Sequence, residues 1–180
     1  MTTPWTYPTS VTQTPEHDTH IEWYSVSGGL NVLSNLSSYH LRTVKNVLHI
    51  SNATAGDIRE KTWYLYCTGF NFQNVPDTIS GVTVQLNVVR GRVLEETVQL
   101  LYQGNPVGDN KVYYAQDIEN HIQVIPNPVY GSDTDLWNTE ITSAMVADPS
   151  FGVLLRFQSH PFYPHSEVPM LHSVAMQIYG

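Results

Sequence analysis

The chain has 180 residues, of which 41% are hydrophobic and 13% are charged, and 16 acidic against 8 basic side chains give a formal net charge of −8. This length suits one domain that buries a core without disulfides or metals, and the acidic balance argues against nucleic acid and anionic membrane surfaces as partners. No stretch approaches the roughly 18 apolar residues of a membrane helix, and the first residues lack a secretory signal, so we expect a protein made and folded in a cytoplasm.

The first 35 residues are rich in Thr, Pro, Ser and Asn, a composition typical of an extended segment. We therefore predict an extended N-terminal arm over residues 1–35 and a jelly-roll or β-sandwich domain over residues 36–180. The aromatic rings of the arm have to be buried against the domain or against a neighbouring molecule. These rings are candidate partner contacts, and they belong to Trp5, Tyr7, Trp23 and Tyr24.

Alternation of apolar and polar residues predicts strands through most of the remaining chain. The clearest case is residues 82–88, which are followed across Gly91 by a second strand pattern at 93–102. We expect these two strands to form an antiparallel hairpin. Residues 103–110 combine Gly, Asn, Pro and Asp and so predict a loop. Further strands are expected at 39–50, 62–72, 111–114, 121–125, 151–157 and 170–179.

One short helix is predicted at residues 138–147, after a long connection at 126–135. Asn138 or Thr139 is the expected N-cap, and Asp148 with Pro149 should end the helix. With everything else in strands, the pattern predicts an all-β fold. The expected architecture is an antiparallel jelly roll or β-sandwich of about eight strands, with one short helix and the extended N-terminal arm.

Eight histidines raise the question of a metal site, but no pair has the spacing and context of a zinc motif. His17 and His20 are the best local pair, and a solvated or interface role is the more common one for histidines in such an arm. Asp133 and Asp135 could offer oxygen ligands, yet they lack the Gly and terminal Glu of a helix-loop-helix calcium site. We therefore predict no metal and no cofactor.

Catalytic signatures are also missing from the sequence. Glu95 and Glu96 are neighbours in a predicted strand, so their side chains should point to opposite faces and cannot act together on one substrate. The single cysteine, Cys67, lies in a strand pattern and is expected to be a small apolar core residue. No nucleophile motif is present, so we predict that the protein is not an enzyme.

An aromatic, proline-rich segment lies between the last two predicted strands. One interpretation is a surface loop held rigid by its two prolines, and the other is a contact surface for another protein or a glycan. The side chains that would form such a contact are His160, Phe162, Tyr163 and His165.

The last two thirds of the chain carry a series of short motifs in a definite order. They read LYCTGFNFQNVP at 65–76, ISGVTVQLNVVR at 79–90, GDNK at 108–111, YGSDTDLW at 130–137, DPSFGV at 148–153 and SVAMQIY at 173–179. This series resembles a family of small structural proteins of tailed bacteriophages and prophages. The resemblance implies a jelly-roll virion component without catalytic residues.

The same resemblance implies structural roles for four residues within the motifs. Gly69 and Gly81 would allow close backbone approach, Pro76 would end a strand, and Trp137 would anchor the loop before the helix to the core.

Two functions are compatible with such a virion component. The first is a capsid cement or decoration protein, a homotrimer on the capsid surface that bridges subunits of the major capsid protein. The alternative is a receptor-binding or carbohydrate-binding module of the tail or a fibre. In that case Phe162 and Tyr163 would stack on sugar faces, with Asp133 and Asp135 near a bound ion.

Overall fold

The buried side chains follow the two-residue period of a strand, as in the segment Tyr64–Thr68, where Leu65 and Cys67 are buried between half-buried neighbours. A computed structural model describes residues 1–14, 23–25, 41–43, 61–89, 93–112, 127–159 and 170–180. These residues form ten strands and one helix. They are β1 (Ser10–Thr14), β2 (Trp23–Ser25), β3 (Leu41–Thr43), β4 (Tyr64–Thr68), β5 (Gly81–Val89), β6 (Val93–Tyr102), β7 (Asn105–Val107), β8 (Val129–Ser132), α1 (Ser143–Ala147), β9 (Gly152–Ser159) and β10 (Met170–Tyr179).

The strands form two antiparallel sheets of five strands each. In sheet A the order is β2-β3-β10-β5-β8, and in sheet B it is β1-β4-β9-β6-β7. The longest pairing in sheet A joins β10 to β5, and the longest in sheet B joins β6 to β9. Each of these pairings contains one register shift, after Leu171 in β10 and after Glu95 in β6, as a β-bulge produces.

Both sheets contribute their inner faces to one hydrophobic core. Sheet A contributes Val82, Val84, Leu86, Val174, Met176 and Ile178, and sheet B contributes Leu65, Cys67, Val98, Leu100, Val153, Leu155 and Phe157. The described residues are therefore mostly β-strand in antiparallel sheets with almost no helix, consistent with an all-β sandwich. The prediction that Cys67 is a core residue is confirmed, since its side chain is fully buried.

The predicted hairpin between residues 82–88 and 93–102 is wrong. Both strands exist, but β5 lies in sheet A beside β10 and β8, whereas β6 lies in sheet B beside β9 and β7. Alternation shows which side of a strand faces the core, and it does so equally for two strands of one sheet and for two strands of facing sheets. Strand β6 instead forms a hairpin with β7. The turn of this hairpin and β7 itself lie within residues 103–110, the segment predicted as a loop. The hairpin turns at Gln103 and Gly104, which both have the positive φ that a two-residue type I′ turn requires.

Two other boundaries differ from the predictions. Strand β8 lies within the segment predicted as a long connection. Helix α1 begins at Ser143, and its N-cap is Thr142, whose side chain accepts a hydrogen bond from the Met145 amide; the predicted start at Asn138 or Thr139 is wrong. Trp137 and Asn138 have φ values of 56° and 55°, which are incompatible with a right-handed helix. The predicted stop at Asp148 is confirmed, because this residue is the C-cap.

Trp137, Gly81 and Pro76, to which the motifs assign structural roles, can be compared with their places in the structure. The indole of Trp137 is fully buried and donates a hydrogen bond of 2.9 Å to the Val82 carbonyl, as an anchor for the loop before α1 should. A Cβ atom on Gly81 would lie 2.3 Å from the Ser132 carbonyl oxygen, so the predicted close approach is confirmed there. Pro76 does not end a strand, because β4 already ends at Thr68.

Candidate contact surface

Residues 1–14, the described beginning of the predicted arm, are hydrogen-bonded to the body of the protein. Thr6 and Met176 exchange two backbone hydrogen bonds of 2.9 Å, and the Thr3 amide donates to the Ile178 carbonyl at 2.9 Å. The opposite edge of β10 is occupied by β5, so this segment extends sheet A on the side where β3 pairs with the other end of β10. The first residues therefore attach to β10 through two isolated antiparallel bridges, Thr2 with Tyr179 and Thr6 with Met176.

The same segment then crosses to sheet B. The Thr9 amide donates hydrogen bonds of 3.2 Å to the carbonyls of Thr68 and Gly69, and β1 follows immediately, paired with β4. The chain from residue 1 to residue 14 is thus bonded first to one sheet and then to the other, and it ties the two sheets together.

Trp5, one of the candidate contact residues, lies on the outside of this segment. Residues paired across an antiparallel bridge point to the same face, and Met176, the partner of Thr6, points into the core. Trp5, next to Thr6, therefore lies on the outer face of sheet A in register with Gln177. Its side chain is 37% exposed, and Tyr7 is half-buried.

The outer face of the N-terminal segment and of strands β10, β5 and β8 forms one part of the outer face of sheet A, and we call this part the neutral face. It consists of Trp5, Thr83, Gln85, Asn87, Val129, Gly131, Ser173, Ala175, Gln177 and Tyr179. None of these residues is charged, although the chain as a whole carries a formal net charge of −8. Val129, 46% exposed on the edge strand β8, adds a second exposed apolar side chain to the face, whereas Thr83 and Ala175 within the face are buried.

Hydrogen bonds on the neutral face hold the N-terminal segment in place. The Gln177 amide donates to the Thr3 carbonyl at 2.8 Å, and the Tyr179 hydroxyl donates to Gln177 Oε1 at 2.7 Å. The backbone amide of Ile178 donates to the Thr3 hydroxyl at 3.0 Å, and Thr3 itself is buried. The segment that carries Trp5 is therefore fixed before any partner binds.

Trp23 lies in the core rather than on the surface. Its side chain is 2% exposed, and its ring packs edge-on against Phe157 with a centroid separation of 5.3 Å. The side-chain amide of Gln13 bonds both the Trp23 amide, at 2.7 Å, and the Trp23 carbonyl, at 2.9 Å. The Trp23 ring is therefore too deeply buried to contact a partner protein.

The remaining candidate contacts cannot be placed on a surface. The backbone of Tyr24 belongs to β2, but its side chain lies outside the described residues. The whole loop with His160, Phe162, Tyr163 and His165 also lies outside them, as do His17 and His20.

The outer face of sheet B carries a charged cluster that the sequence analysis missed. The Glu96 carboxylate accepts hydrogen bonds from Arg156 Nε at 2.7 Å, Arg156 Nη2 at 3.0 Å and Lys61 Nζ at 3.0 Å. The Thr97 hydroxyl adds a fourth at 2.6 Å, and the Arg156 guanidinium lies 4.1 Å from the centre of the Tyr64 ring. Residues 60 positions apart meet here because β6 and β9 are neighbours, a pairing that the sequence pattern does not specify.

This cluster changes the protonation of Glu96. Partial burial by itself raises the pKa of the carboxyl group, but the hydrogen bonds from Arg156, Thr97 and Lys61 outweigh that effect and lower the pKa from 4.5 to about 2. Its neighbour Glu95 is fully buried opposite Phe157. The Glu96 carboxylate therefore stays ionised and paired with Arg156 and Lys61, which is a structural role.

Asp135, considered above as a possible calcium ligand, is occupied by protein donors. Its Oδ1 accepts the Trp137 amide at 2.7 Å, and its Oδ2 forms an ion pair with Lys111 Nζ at 3.0 Å. In the part of the chain that the structure describes, no group of three or more His, Cys, Asp or Glu side chains could hold a metal ion. Burial raises the pKa of the Cys67 thiol, so the thiol stays protonated at neutral pH.

Comparison with protein-family models, with curated proteins and with solved structures finds no match to this chain. Among the described residues, no helix is both long and apolar enough to span a membrane.

Proposed function

We propose that this chain is a virion structural protein of a tailed bacteriophage, and that it acts as a capsid cement or decoration protein. In this function it forms homotrimers on the capsid surface and bridges subunits of the major capsid protein. The proposal starts from the order of motifs between residues 65 and 179, which resembles small phage structural proteins. The chemistry of the neutral face adds an independent argument.

A jelly-roll fold is part of this proposal, and the strand orders support it. If β1 and β2 are set aside, the sheets read β3-β10-β5-β8 and β4-β9-β6-β7. Two four-stranded sheets between which the chain passes repeatedly, with the last strands placed between the first ones, are typical of the eight-stranded jelly roll. The strands β1 and β2 would then be additions at one edge of each sheet.

The neutral face carries the argument for a contact with other proteins. The centres of protein interfaces are depleted of charged residues and enriched in aromatic ones, because a buried charge must be desolvated while a Trp ring buries a large area. The neutral face has exposed Trp5 on one side, exposed Val129 on the other and only uncharged residues between them, of which Thr83 and Ala175 are already buried within the chain. By contrast, the outer face of sheet B holds the ion cluster around Glu96.

The anchoring of Trp5 suits a protein that reinforces a shell. A partner that binds Trp5 contacts a segment that is hydrogen-bonded to sheet A and then to sheet B. Force applied at this contact is therefore distributed over both sheets rather than carried by a free tail. Many copies that each bind weakly would together stabilise a shell through multivalency.

The proposal is tested with phage heads assembled without this protein. Purified protein should bind such heads and restore their resistance to heat, and Trp5→Ala should reduce occupancy at least tenfold. Glu140→Ala, a change at an exposed residue that is not part of the neutral face, is the control and should bind like the unaltered protein. Heads that resist heat equally well without the protein would exclude the cement function.

A cryo-EM reconstruction of the complete particle distinguishes the two locations. Density at symmetric positions on the head is expected from the cement proposal. Density confined to the tail tip or fibres would instead favour the receptor-binding alternative, which would then be tested by glycan binding with Phe162→Ala and Tyr163→Ala.

A further inference from the structure

The neutral face is accessible at side chains on three of its elements. Trp5 is 37% exposed on the N-terminal segment, Val129 is 46% exposed on β8, and Asn87 is exposed on β5. Thr83 and Ala175 are already buried within the chain and offer no contact area. Neighbouring strands lie about 4.8 Å apart, so the N-terminal segment and β8, with β10 and β5 between them, lie about 14 Å apart. A partner that touches both Trp5 and Val129 therefore covers the width of the face.

The polar groups of this face suit an uncharged partner. The Gln177 side-chain amide already donates to the Thr3 carbonyl at 2.8 Å and accepts the Tyr179 hydroxyl at 2.7 Å. The exposed Asn87 amide offers both a donor and an acceptor, and Asp133 follows the last residue of β8 and lies outside the face. A charged group placed against the face would lose its water without gaining an opposite charge.

Charged side chains described elsewhere in the protein already have partners. Glu96 is paired with Arg156 and Lys61 on the outer face of sheet B, and Asp135 is paired with Lys111. A partner on the outer face of sheet B would have to desolvate the cluster around Glu96. A contact through the neutral face leaves these ion pairs in place and keeps the excess negative charge of the chain in water.

Resting on the proposed capsid function, we propose that the surface of the major capsid protein bound by the neutral face is itself uncharged. It presents apolar side chains to Trp5 and Val129 and uncharged hydrogen-bonding groups to Asn87. Capsid sites that carry Lys, Arg, Asp or Glu at the contact are excluded, because such a residue would be buried without a partner. The contact therefore gains its specificity from the cost of a mispaired charge rather than from ion pairs.

Substitutions of both charge signs test the proposal on phage heads assembled without this protein. Val129→Lys and Val129→Glu should each weaken binding on the order of tenfold, because either charge then meets an uncharged surface. Asn87→Lys and Asn87→Glu should have the same effect from β5. Val129→Thr, which adds a hydroxyl without a charge at this exposed position, should bind within about threefold of the unaltered protein.

Thr12 provides the matched control, since it is an exposed β-branched residue in β1 on the outer face of sheet B. Thr12→Lys and Thr12→Glu change the net charge at a distance from the contact, and each should bind within about threefold of the unaltered protein. Occupancy is measured from the protein that sediments with the heads over a range of concentrations. Circular dichroism verifies that each variant is folded.

Three results would contradict these expectations in different ways. Tighter binding by one charged variant and weaker binding by its opposite would overturn the proposal, because the capsid surface would then carry a charge. Unchanged binding by the charged variants at both Val129 and Asn87 would also overturn it, because the neutral face would then lie outside the contact. Unaltered protein that binds no heads would overturn the capsid function and, with it, this proposal.

Discussion

Arg156 donates two hydrogen bonds to the carboxylate of Glu96, from Nε at 2.7 Å and from Nη2 at 3.0 Å. The two side chains are 12% and 18% exposed, so the pair is shielded from much of the solvent. A two-point contact between a planar guanidinium and a carboxylate is among the strongest side-chain interactions in proteins. It joins β6 to β9 next to the bulge in β6, where the regular register is interrupted.

The low pKa of Glu96 predicts acid sensitivity. The unfolded chain binds a proton at this carboxyl group near pH 4.5, whereas the folded protein does so only near pH 2. The ionised pair therefore contributes its full stability above about pH 5 and loses it progressively as the pH falls towards 2. We expect a contribution of about 2 kcal/mol at neutral pH, after allowance for solvent screening.

Urea unfolding of the unaltered protein and of Glu96→Gln tests this prediction at pH 7 and at about pH 2.5. The difference in free energy of unfolding between the two proteins should be large at pH 7 and small in acid. Glu140→Gln, a change at an exposed carboxyl group, is the control. If the two proteins differ in free energy of unfolding by the same amount at both pH values, the low pKa given to Glu96 is wrong.

The two tryptophans of the predicted arm should respond differently to truncation. Trp23 is 2% exposed and packs against Phe157, so Trp23→Ala leaves a large cavity and should lower the free energy of unfolding by about 3–5 kcal/mol. Trp5 is 37% exposed, and Trp5→Ala should cost about 1 kcal/mol or less. Thermal and urea unfolding measure both values. Equal losses would show that Trp5 is as deeply packed as Trp23.

These two residues show how far the sequence determines the contact surface. Both occur in a segment of the same composition, and only tertiary packing distinguishes them. Thr6 pairs with Met176, which places Trp5 outside, whereas Gln13 bonds the backbone of Trp23 where its ring meets the core. The neutral face could not be predicted either, because it depends on which strands are neighbours.

The fold was predictable where a local pattern decides it. The alternation at residues 82–88 identified β5 and its buried side, and Asp148 was recognised as the end of the helix. The pairing of β5 with β10 was not predictable, because about 90 residues separate the paired positions, among them Val82 and Ile178. The start of α1 was missed because Trp137 and Asn138 have positive φ values, a backbone conformation that the residue pattern does not reveal.

Two glycines with the same backbone angle separate conformational strain from steric clash. Gly131 and Gly104 both have a φ of 79°. Alanine at either position would have to adopt this left-handed conformation, which costs about 1 kcal/mol of folding free energy. A Cβ on Gly131 would also lie 2.2 Å from the Val82 carbonyl oxygen and 2.7 Å from the Trp137 indole nitrogen, whereas a Cβ on Gly104 meets nothing within 4 Å.

We therefore expect Gly131→Ala to lower the free energy of unfolding by at least about 2 kcal/mol more than Gly104→Ala. Urea unfolding of both variants gives the difference directly. The change in intrinsic fluorescence on unfolding provides a convenient signal, since Trp137 is fully buried. Similar values for the two glycines would mean that β8 moves away from Trp137 without cost.

The N-cap of α1 provides the last prediction, because the sequence and the structure assign it to different residues. The Thr142 hydroxyl accepts the Met145 amide at 3.2 Å, and this bond satisfies one of the free donors in the first turn. Thr142→Ala should therefore lower the free energy of unfolding by about 1 kcal/mol.

Thr139, one of the two N-caps expected from the sequence pattern, lies before the helix. Thr139→Ala should cost no more than about 0.5 kcal/mol, and Thr142→Ser should recover most of the loss, because a serine hydroxyl caps equally well. A greater loss from Thr139→Ala than from Thr142→Ala would place the start of the helix where the sequence pattern put it.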